Sequence, residues 1–169
     1  RKITMPAPQP LTACDPPQLD WSRPGTPAAA DFGDIYFSTD GGLAETEAVY
    51  LRACGLPERW QARSNFTIGE LGFGTGLNFL AAWRMWDRAK PAGGRLEFVS
   101  VEKFPFDRDQ LLRALAAWPE LSAYTKALTA LWPGRVKGVH RLHIAPDVTL
   151  ILIHDDVLSG LQSVNAKAD

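Results

Sequence analysis

The alternation of apolar and polar residues predicts strands and helices in turn along most of the chain. Phe66, Thr67 and Ile68 are β-branched or aromatic, which is typical of a strand. Apolar residues then recur three and four positions apart, which predicts a helix over about residues 78–89. Residues 96–102 alternate apolar and polar side chains and indicate a second strand. A strand, a helix and a parallel strand in this order form a βαβ unit.

The same alternation continues to the end of the chain. We expect one helix to begin near Asp107 and another to cover residues 120–131. Residues 139–144 alternate in polarity and residues 148–153 are almost entirely apolar, so the first strand should be half-buried and the second central. A short helix should follow, and the whole pattern predicts an α/β fold with half of a doubly wound sheet. The residues expected to face the core from the two helices are Leu111, Leu112, Leu115, Trp118, Leu121, Tyr124, Leu128 and Leu131.

The N-terminal part follows a different pattern. Residues 1–18 are rich in proline and lack periodicity, which favours an extended arm. Residues 19–21 and 34–37 are short apolar stretches on either side of a turn, and we expect them to pair as a β-hairpin. One of residues 38–40 should then cap a helix that ends before Gly55.

Composition narrows the class of protein. The chain has 169 residues, of which 46% are hydrophobic and 22% charged, as in a soluble globular protein with a substantial core. Its net charge of −1 gives no general attraction to nucleic acid or membranes. We expect two parts, an arm, hairpin and helix in 1–64 and a Rossmann-like domain in 65–169. Because no apolar run is long enough to span a membrane and the two cysteines have no metal or redox spacing, we expect a cytoplasmic protein without membrane or metal contacts.

Three glycines at every second position follow the first strand, in Glu70-Leu71-Gly72-Phe73-Gly74-Thr75-Gly76. A strand that ends in such a turn and restarts as a helix points free backbone N–H groups at a ligand, and glycine lets that ligand approach closely. The spacing is neither the G-x-G-x-x-G of dinucleotide enzymes nor the G-x-x-x-x-G-K-[ST] of nucleoside-triphosphate enzymes. Glu70 would repel a pyrophosphate but attract a cation. S-adenosylmethionine carries an ammonium and a sulfonium, so we interpret the turn as its binding site.

Further acidic residues stand where strands of the predicted sheet end. Glu102 ends the second strand and is placed to accept hydrogen bonds from ribose hydroxyls. Asp156 follows the last strand and can bond the adenine amino group or cap the next helix, and both roles are possible at once because Asp155 is a second acid there. Tyr36 either packs the hairpin on the core or lines the cofactor crevice. The cofactor-binding candidates from these patterns are Glu70, Gly72, Phe73, Gly74, Thr75, Gly76, Asn78, Glu102 and Asp156.

A basic cluster accompanies the half-buried strand. His140 and His143 lie three residues apart on an alternating strand and should face opposite sides, which argues against a joint metal site. Arg135, Lys137 and Arg141 surround them, and this cluster is either a solvated face or a contact for RNA.

Several segments resemble the methyltransferase domain of the MnmC family, which takes part in tRNA 5-methylaminomethyl-2-thiouridine biosynthesis in bacteria. The glycine turn is shared by many methyltransferases. Asp34-Ile35-Tyr36-Phe37-Ser38 and Glu102-Lys103-Phe104-Pro105 are more particular to this family. The other matching segments are Leu19-Asp20-Trp21, Gly25-Thr26-Pro27, Gly42-Leu43-Ala44-Glu45-Thr46, Trp118-Pro119-Glu120-Leu121 and His140-Arg141-Leu142.

The resemblance implies a Rossmann-like class I S-adenosylmethionine-dependent methyltransferase fold. The chain would hold the first half of its sheet, after an N-terminal extension with a β-hairpin and a helix. The implied reaction is N-methylation of the 5-aminomethyl group of 2-thiouridine at wobble position 34 of tRNA. An FAD-dependent oxidoreductase domain, fused or separate, is the implied partner. Lys103 and Phe104 should then lie beside the adenine.

The family continues beyond the position of Asp169 with a strand and an Asp-Gly-Phe…Asn-Pro…Trp segment on the substrate side. We therefore expect a shortened domain, and we assign no catalytic residue. Three alternatives remain open at this point. They are another class I methyltransferase, an NAD-type oxidoreductase, which the glycine spacing and Glu70 disfavour, and a non-catalytic tRNA-binding module, which the near-neutral charge disfavours.

Overall fold

The computed structural model describes residues 11–30, 33–37, 41–163 and 168–169. These residues form a small antiparallel sheet and a larger α/β sheet. The strands are β1 (Leu19–Arg23), β2 (Thr26–Ala29), β3 (Asp34–Ile35), β4 (Asn65–Leu71), β5 (Arg95–Glu102), β6 (Gly138–Ala145) and β7 (Val148–His154). The helices are α1 (Gly42–Thr46), α2 (Glu58–Gln61), α3 (Leu77–Ala89), α4 (Arg108–Leu115), α5 (Ser122–Ala130) and α6 (Val157–Gln162), with a π-helical segment (Glu47–Arg52) and a 3-10 turn (Pro119–Leu121).

The larger sheet has the strand order β4-β5-β7-β6. Strands β4, β5 and β7 run parallel, and β6 pairs with β7 as an antiparallel hairpin. Parallel neighbours need a long crossover, which α3 provides between β4 and β5. The α/β fold expected from the alternation of elements is confirmed. Strand β7 has a neighbour on each side, in agreement with its almost continuous apolar sequence.

The two faces of this sheet pack against different elements. Phe98 points into the main core beneath α3, α4 and α5, whereas its neighbour Val99 belongs to a smaller cluster on the other face. Helix α6 covers that second face through Gly160, where an added Cβ would lie 2.9 Å from Val101 Cγ1. Glycine therefore lets this short helix approach the sheet closely.

Helix α3 supplies much of the main core. Phe79 and Trp86 are fully buried, and Trp60 of α2 meets Trp86 edge-on with ring centroids 5.2 Å apart. Because Trp60 belongs to the same cluster as the sheet residues, the N-terminal part and the larger sheet share one hydrophobic core. The division into domains at 1–64 and 65–169 stays a prediction.

Helices α4 and α5 form close to where they were predicted but expose two leucines expected in the core. Asp107 begins α4 with a capping box, in which its side chain and that of Gln110 bond each other's backbone N–H. Leu112 is 36% exposed because the inward stripe of α4 is already occupied by the fully buried Leu111 and the residue one turn later. Leu131 is 46% exposed because it lies beyond the end of α5.

The N-terminal hairpin differs from its prediction. Strand β1 pairs with β2 rather than with β3, and β3 joins the sheet only through β2. The sequence of β2, Thr26-Pro27-Ala28-Ala29, lacks large β-branched or aromatic residues and includes a proline, so strand propensity did not reveal it. The Pro27 carbonyl accepts a hydrogen bond from the Tyr36 N–H at 3.1 Å, which brings Tyr36 next to the sheet.

The helix after the small sheet changes character along its length. It begins at Gly42 as an α-helix and continues from Glu47 as a π-helix, in which Leu51 faces the core. Residues 38–40, predicted to cap this helix, lie outside the described residues, as do residues 1–10 of the arm. Within the described ranges, no helix has the length and apolar character needed to cross a membrane.

Candidate cofactor-binding site

An open cleft of about 800 Å³ lies beyond the carboxyl ends of β4 and β5. One side is formed by the glycine loop, residues 72–76, and the other by β3, α1 and the π-helical segment. Ligands of open α/β sheets bind at this edge, and pockets of about 300–1,000 Å³ hold small molecules. The predicted site residues that line the cleft are Tyr36, Gly72, Phe73, Gly74, Thr75, Asn78, Glu102 and Phe104.

The three glycines of the loop all have a positive φ, at 87°, 54° and 75° for Gly72, Gly74 and Gly76. Side chains rarely tolerate this backbone conformation. An added Cβ would meet nothing within 4 Å at Gly72, Tyr36 Cδ1 at 3.1 Å at Gly74, and the Phe73 ring at 2.7 Å at Gly76. Gly72 therefore leaves open space for a ligand, whereas Gly76, at the start of α3, is also enclosed by protein.

This difference predicts unequal effects of alanine at the two ends of the loop. We expect Gly72→Ala to lower the free energy of unfolding by about 1–2 kcal/mol, the usual range for a strained φ. Gly76→Ala adds the clash with Phe73 and should lower it by about 2–5 kcal/mol. Urea unfolding of both variants measures the two values. Equal losses would show that Phe73 does not constrain position 76.

Phe73 fastens the glycine loop to the core. Its side chain is 3% exposed and stacks on Trp132, with ring centroids 5.7 Å apart. The Trp132 indole N–H in turn donates to the Phe106 carbonyl oxygen at 2.9 Å. The Phe73 ring therefore packs mainly within the protein, and the backbone of this residue is the part available to a cofactor.

Glu70, at the end of β4, is held by two hydrogen-bond donors. The Asn78 side-chain amide donates to Oε1 at 2.9 Å, and the Ser100 hydroxyl donates to Oε2 at 2.8 Å. Burial raises the pKa of Glu70 to about 7, and the nearby Glu102 carboxylate adds to the rise, while the bonds from Asn78 and Ser100 oppose it. Glu70 therefore keeps its proton to a higher pH than an exposed glutamate and changes its charge in the neutral range. Ser100, which was not predicted, lies opposite Glu70 in the β4–β5 register, a relation that appears only once the strands are paired.

Glu102 is the last residue of β5, and both of its carboxylate oxygens accept hydrogen bonds from backbone N–H groups. Oε2 accepts from the Gly74 N–H at 2.8 Å, and Oε1 accepts from the Phe104 N–H at 2.8 Å. A carboxylate has about four acceptor positions, so two further donors can still bind to it. Glu102 can thus hold the glycine loop in place and receive the hydroxyls of a ribose at the same time.

Tyr36 fits both of the interpretations considered for it. Its ring packs edge-on against Phe106, with centroids 4.9 Å apart, and also lines the cleft beside Gly74. Burial raises the pKa of Tyr36 to about 12, and the charge of Glu102 adds to this effect. The phenol is therefore neutral at physiological pH and able to donate a hydrogen bond into the cleft.

Four predicted residues are not among those that line the cleft: Glu70, which lines an adjoining cavity, and Gly76, Lys103 and Asp156. The Lys103 ammonium lies 5.2 Å from the centroid of the Phe104 ring and is exposed. Asp156 caps α6, because its Oδ1 accepts from the N–H groups of Leu158 and Ser159 at 3.1 Å each. Of the two interpretations of Asp156, the structure shows the helix cap. A contact of Asp156 with adenine stays a prediction.

A second cavity of about 370 Å³ adjoins the cleft. Tyr50, Gly72 and Asn78 line both cavities, and Glu70 lines the second. Sequence reasoning did not single out Val49 and Tyr50, which are 58% and 56% exposed on the cleft side. They lie in the π-helical segment, where the period of 3.6 residues no longer tells which side chains face the core.

The basic cluster is paired with acids on the surface. The ion pairs are Arg135–Asp107 at 3.4 Å, Lys137–Asp155 at 3.2 Å and Arg141–Glu97 at 3.0 Å. These acids offset the charge that an RNA phosphate would meet. His140 bonds the Val136 carbonyl and His143 contacts Thr149, on opposite faces of β6. Among the residues that the structure describes, no group of three or more His, Cys, Asp or Glu could hold a metal ion.

Comparison with known proteins identifies close relatives by sequence, although no family model matches the chain. The relatives carry the name tRNA 5-methylaminomethyl-2-thiouridine biosynthesis bifunctional protein MnmC. The protein from Maricaulis maris is 48% identical over 157 residues, which cover 92% of this chain and 27% of the relative. The protein from Pseudomonas aeruginosa is 47% identical over 156 residues, covering 90% of this chain and 24% of the relative. The protein from Aeromonas salmonicida is 53% identical over 133 residues, covering 76% of this chain and 20% of the relative.

A solved structure supports the fold. The crystal structure of MNMC2 from Aquifex aeolicus superimposes with a TM-score of 0.62 at 21% identity, covering 97% of this chain and 48% of that one. This likeness shows that almost the whole chain shares its fold with that structure, in agreement with the expected Rossmann-like fold after an N-terminal extension. By sequence, the chain therefore belongs with one segment of the MnmC proteins, a segment that makes up about a quarter of their length.

Proposed function

We propose that this chain binds S-adenosylmethionine and forms the cofactor side of a tRNA methyltransferase. The reaction would be N-methylation of the 5-aminomethyl group of 2-thiouridine at wobble position 34. The observation that carries the proposal is the placement of two carboxylates, Glu70 and Glu102, at the ends of adjacent parallel strands on either side of the glycine loop. A cationic nucleoside ligand has donors that suit both groups.

The residues present fit the separate parts of that cofactor. Glu70, held by Asn78 and Ser100, would face the ammonium of the methionine part. Glu102 would accept the ribose hydroxyls. Tyr36 and Phe104 line the cleft near Glu102 and offer apolar surface to the adenine ring. The open space beside Gly72 lets the ligand approach the backbone.

The chemistry requires positioning more than covalent help. When bound, S-adenosylmethionine would supply a methyl group to the amine nitrogen, the C–N bond forming in line as the C–S bond breaks and S-adenosylhomocysteine leaves. The glycine loop and Glu102 would fix the position of the cofactor in the cleft. The amine must lose a proton before it attacks. No residue of this chain is assigned to that step.

The substrate and partner belong to the same proposal. The names of the relatives include tRNA, 5-methylaminomethyl-2-thiouridine and the word bifunctional. On that basis we propose a tRNA substrate, a cytoplasmic location and an FAD-dependent oxidoreductase domain, fused or separate, as partner. FAD would belong to that partner and not to the cleft described here.

Calorimetric titration with S-adenosylhomocysteine, compared with NAD, tests the proposal directly. We expect saturable binding of S-adenosylhomocysteine and none of NAD, because Glu70 disfavours a pyrophosphate. The opposite preference would favour an NAD-type oxidoreductase. Salt-sensitive binding of RNA without either ligand would favour a non-catalytic tRNA-binding module.

The ionisation of Glu70 predicts a pH-dependent affinity. Its pKa is raised to about 7 in the free chain, whereas a ligand ammonium favours the ionised carboxylate. Binding should therefore release protons, and the affinity for S-adenosylhomocysteine should rise about tenfold from about pH 6 to about pH 8. Titrations in buffers with different enthalpies of ionisation count those protons. Glu70→Gln should bind more weakly and with a flat pH profile. If the slope persists in this variant, another group is responsible.

A further inference from the structure

The wall of the cleft opposite the glycine loop carries exposed apolar side chains that the cofactor proposal leaves unused. Ile35, Val49 and Tyr50 all line the cleft and are 38%, 58% and 56% exposed. Clustered apolar residues at the mouth of a pocket indicate a surface that a ligand covers. Since the cofactor is assigned to the loop side, this wall is available to the substrate.

Tyr50 occupies a particular place on this wall. It lines both the cleft and the adjoining cavity, together with Gly72 and Asn78. Asn78 bonds Glu70, which is assigned to the methionine part of the cofactor, whereas Glu102 lines only the cleft. Tyr50 therefore stands at the end of the cleft where the transferable methyl group would lie.

The backbone that carries Tyr50 is fixed at several points. The π-helical segment is closed by a hydrogen bond from the Ala53 N–H to the Ala48 carbonyl at 3.2 Å. Leu51 is 4% exposed and packs in the core. Glu47 pairs with Arg84 of α3 at 3.4 Å, with both side chains largely buried. The backbone at Tyr50 is thus fixed while its ring is exposed to solvent. Turns of π-helix are frequent at functional sites.

A positive charge lies on the same side. Arg59 lines the second cavity, is exposed and donates to the Cys54 carbonyl at 3.0 Å. No carboxylate pairs with Arg59 within the part of the chain that the structure describes. An exposed aromatic ring and a guanidinium without a carboxylate partner, lining one cavity, are a combination suited to an unstacked base and its phosphate.

We propose that Tyr50 stacks on the target pyrimidine of the RNA substrate and so places its 5-substituent at the methyl group. This inference rests on the proposed function, because it is the cofactor that makes this end of the cleft the reacting end. Single-stranded loops are recognised through splayed bases that stack on aromatic side chains, and a tRNA wobble base lies in such a loop. Tyr50 is a positioning residue in this scheme and carries no chemistry of its own.

The test measures two affinities of each Tyr50 variant, one for RNA and one for S-adenosylhomocysteine, which is the product formed from the cofactor. The probes are two fluorescent anticodon stem-loop RNAs, one with uridine and one with an abasic residue at position 34, titrated with and without S-adenosylhomocysteine. Tyr50→Ala should bind the uridine RNA about tenfold more weakly, the scale of one lost base–aromatic stack. It should bind the abasic RNA and S-adenosylhomocysteine as the unmodified chain does. Tyr50→Phe keeps the ring and should stay within about twofold of the unmodified chain.

Val139→Ala is the matched control, because Val139 is an apolar residue of similar exposure, 47%, on the opposite edge of the sheet. Val139→Ala should change neither the affinity for RNA nor the affinity for S-adenosylhomocysteine. An equal loss on both RNAs would show that Tyr50 does not contact the base, and a loss of S-adenosylhomocysteine binding would assign the ring to the cofactor. Absence of RNA binding by the unmodified chain would also overturn the inference. Failure of S-adenosylhomocysteine binding alone would overturn the proposed function, while the titrations without ligand still report on Tyr50.

Discussion

Replacing Glu102 by alanine is expected to weaken the binding of S-adenosylhomocysteine by at least about 100-fold. The variant loses the acceptor proposed for two ribose hydroxyls, and hydrogen bonds to charged groups contribute about 1.5–3 kcal/mol each. It also releases the backbone N–H groups of Gly74 and Phe104, which Glu102 holds at 2.8 Å each. The glycine loop would then be less ordered before binding, and ordering it would reduce the affinity for the ligand. Calorimetric titration measures the change.

Two variants separate the cofactor contact from general damage. Glu102→Gln keeps one carbonyl acceptor and should lose less affinity than Glu102→Ala. Glu97→Ala lies on the same strand but removes a surface carboxylate that pairs with Arg141, and it should bind normally. Thermal unfolding of each variant verifies that the chain is folded. Unchanged affinity in a folded Glu102→Ala chain would mean that the ribose lies elsewhere.

Phe79→Ala is expected to lower the free energy of unfolding by about 3–5 kcal/mol, the range for removing a buried aromatic side chain. Phe79 is fully buried in the first turn of α3. Its ring lies 5.3 Å from that of Phe98 on β5 and 6.3 Å from that of Phe73 in the glycine loop. The loss would be a large part of the ~5–15 kcal/mol that stabilises an ordinary domain. Urea unfolding measures it as a shift of the midpoint.

Phe79→Ala should also weaken ligand binding in the cofactor cleft. Phe73 would lose a packing partner, so the glycine loop should bind S-adenosylhomocysteine more weakly even where the chain remains folded. Phe79→Leu preserves most of the volume and should retain most of the stability. Arg88→Ala, an exposed change on the same helix, serves as the control. A loss below about 1 kcal/mol for Phe79→Ala would show that the core repacks around the cavity.

The parts of the fold that the sequence predicts well are those with regular periodicity. Strand β5 and helix α3 have clear periods of two and 3.6 residues, β4 contains β-branched and aromatic residues, and β7 is almost continuously apolar; the structure confirms each of these elements. The start of a helix near Asp107 was also predicted correctly, and the capping box that the structure shows there is formed by residues close in sequence. Local rules suffice in these places because each pattern is formed by neighbouring residues.

Features that depend on distant pairing were missed. Strand β2 exists because it lies between two partners, although its own residues have little strand propensity. The hydrogen bond from Ser100 to Glu70 depends on the β4–β5 register, and the exposure of Tyr50 depends on a π-helical shift. The assignments of Glu70 and Glu102 to a cofactor stay predictions, although the structure brings both residues to one edge of the sheet.

The bond between Ser100 and Glu70 has a consequence for how this site can evolve. It joins two positions that a whole βαβ unit separates in sequence, so a change at one of them removes the hydrogen-bond partner of the other. Aspartate at position 70 would be one methylene too short to reach the serine hydroxyl. In a related sequence without an acid at position 70, a hydrogen-bond donor at position 100 would no longer have this acceptor. We therefore expect substitutions at these two positions to occur together among related sequences.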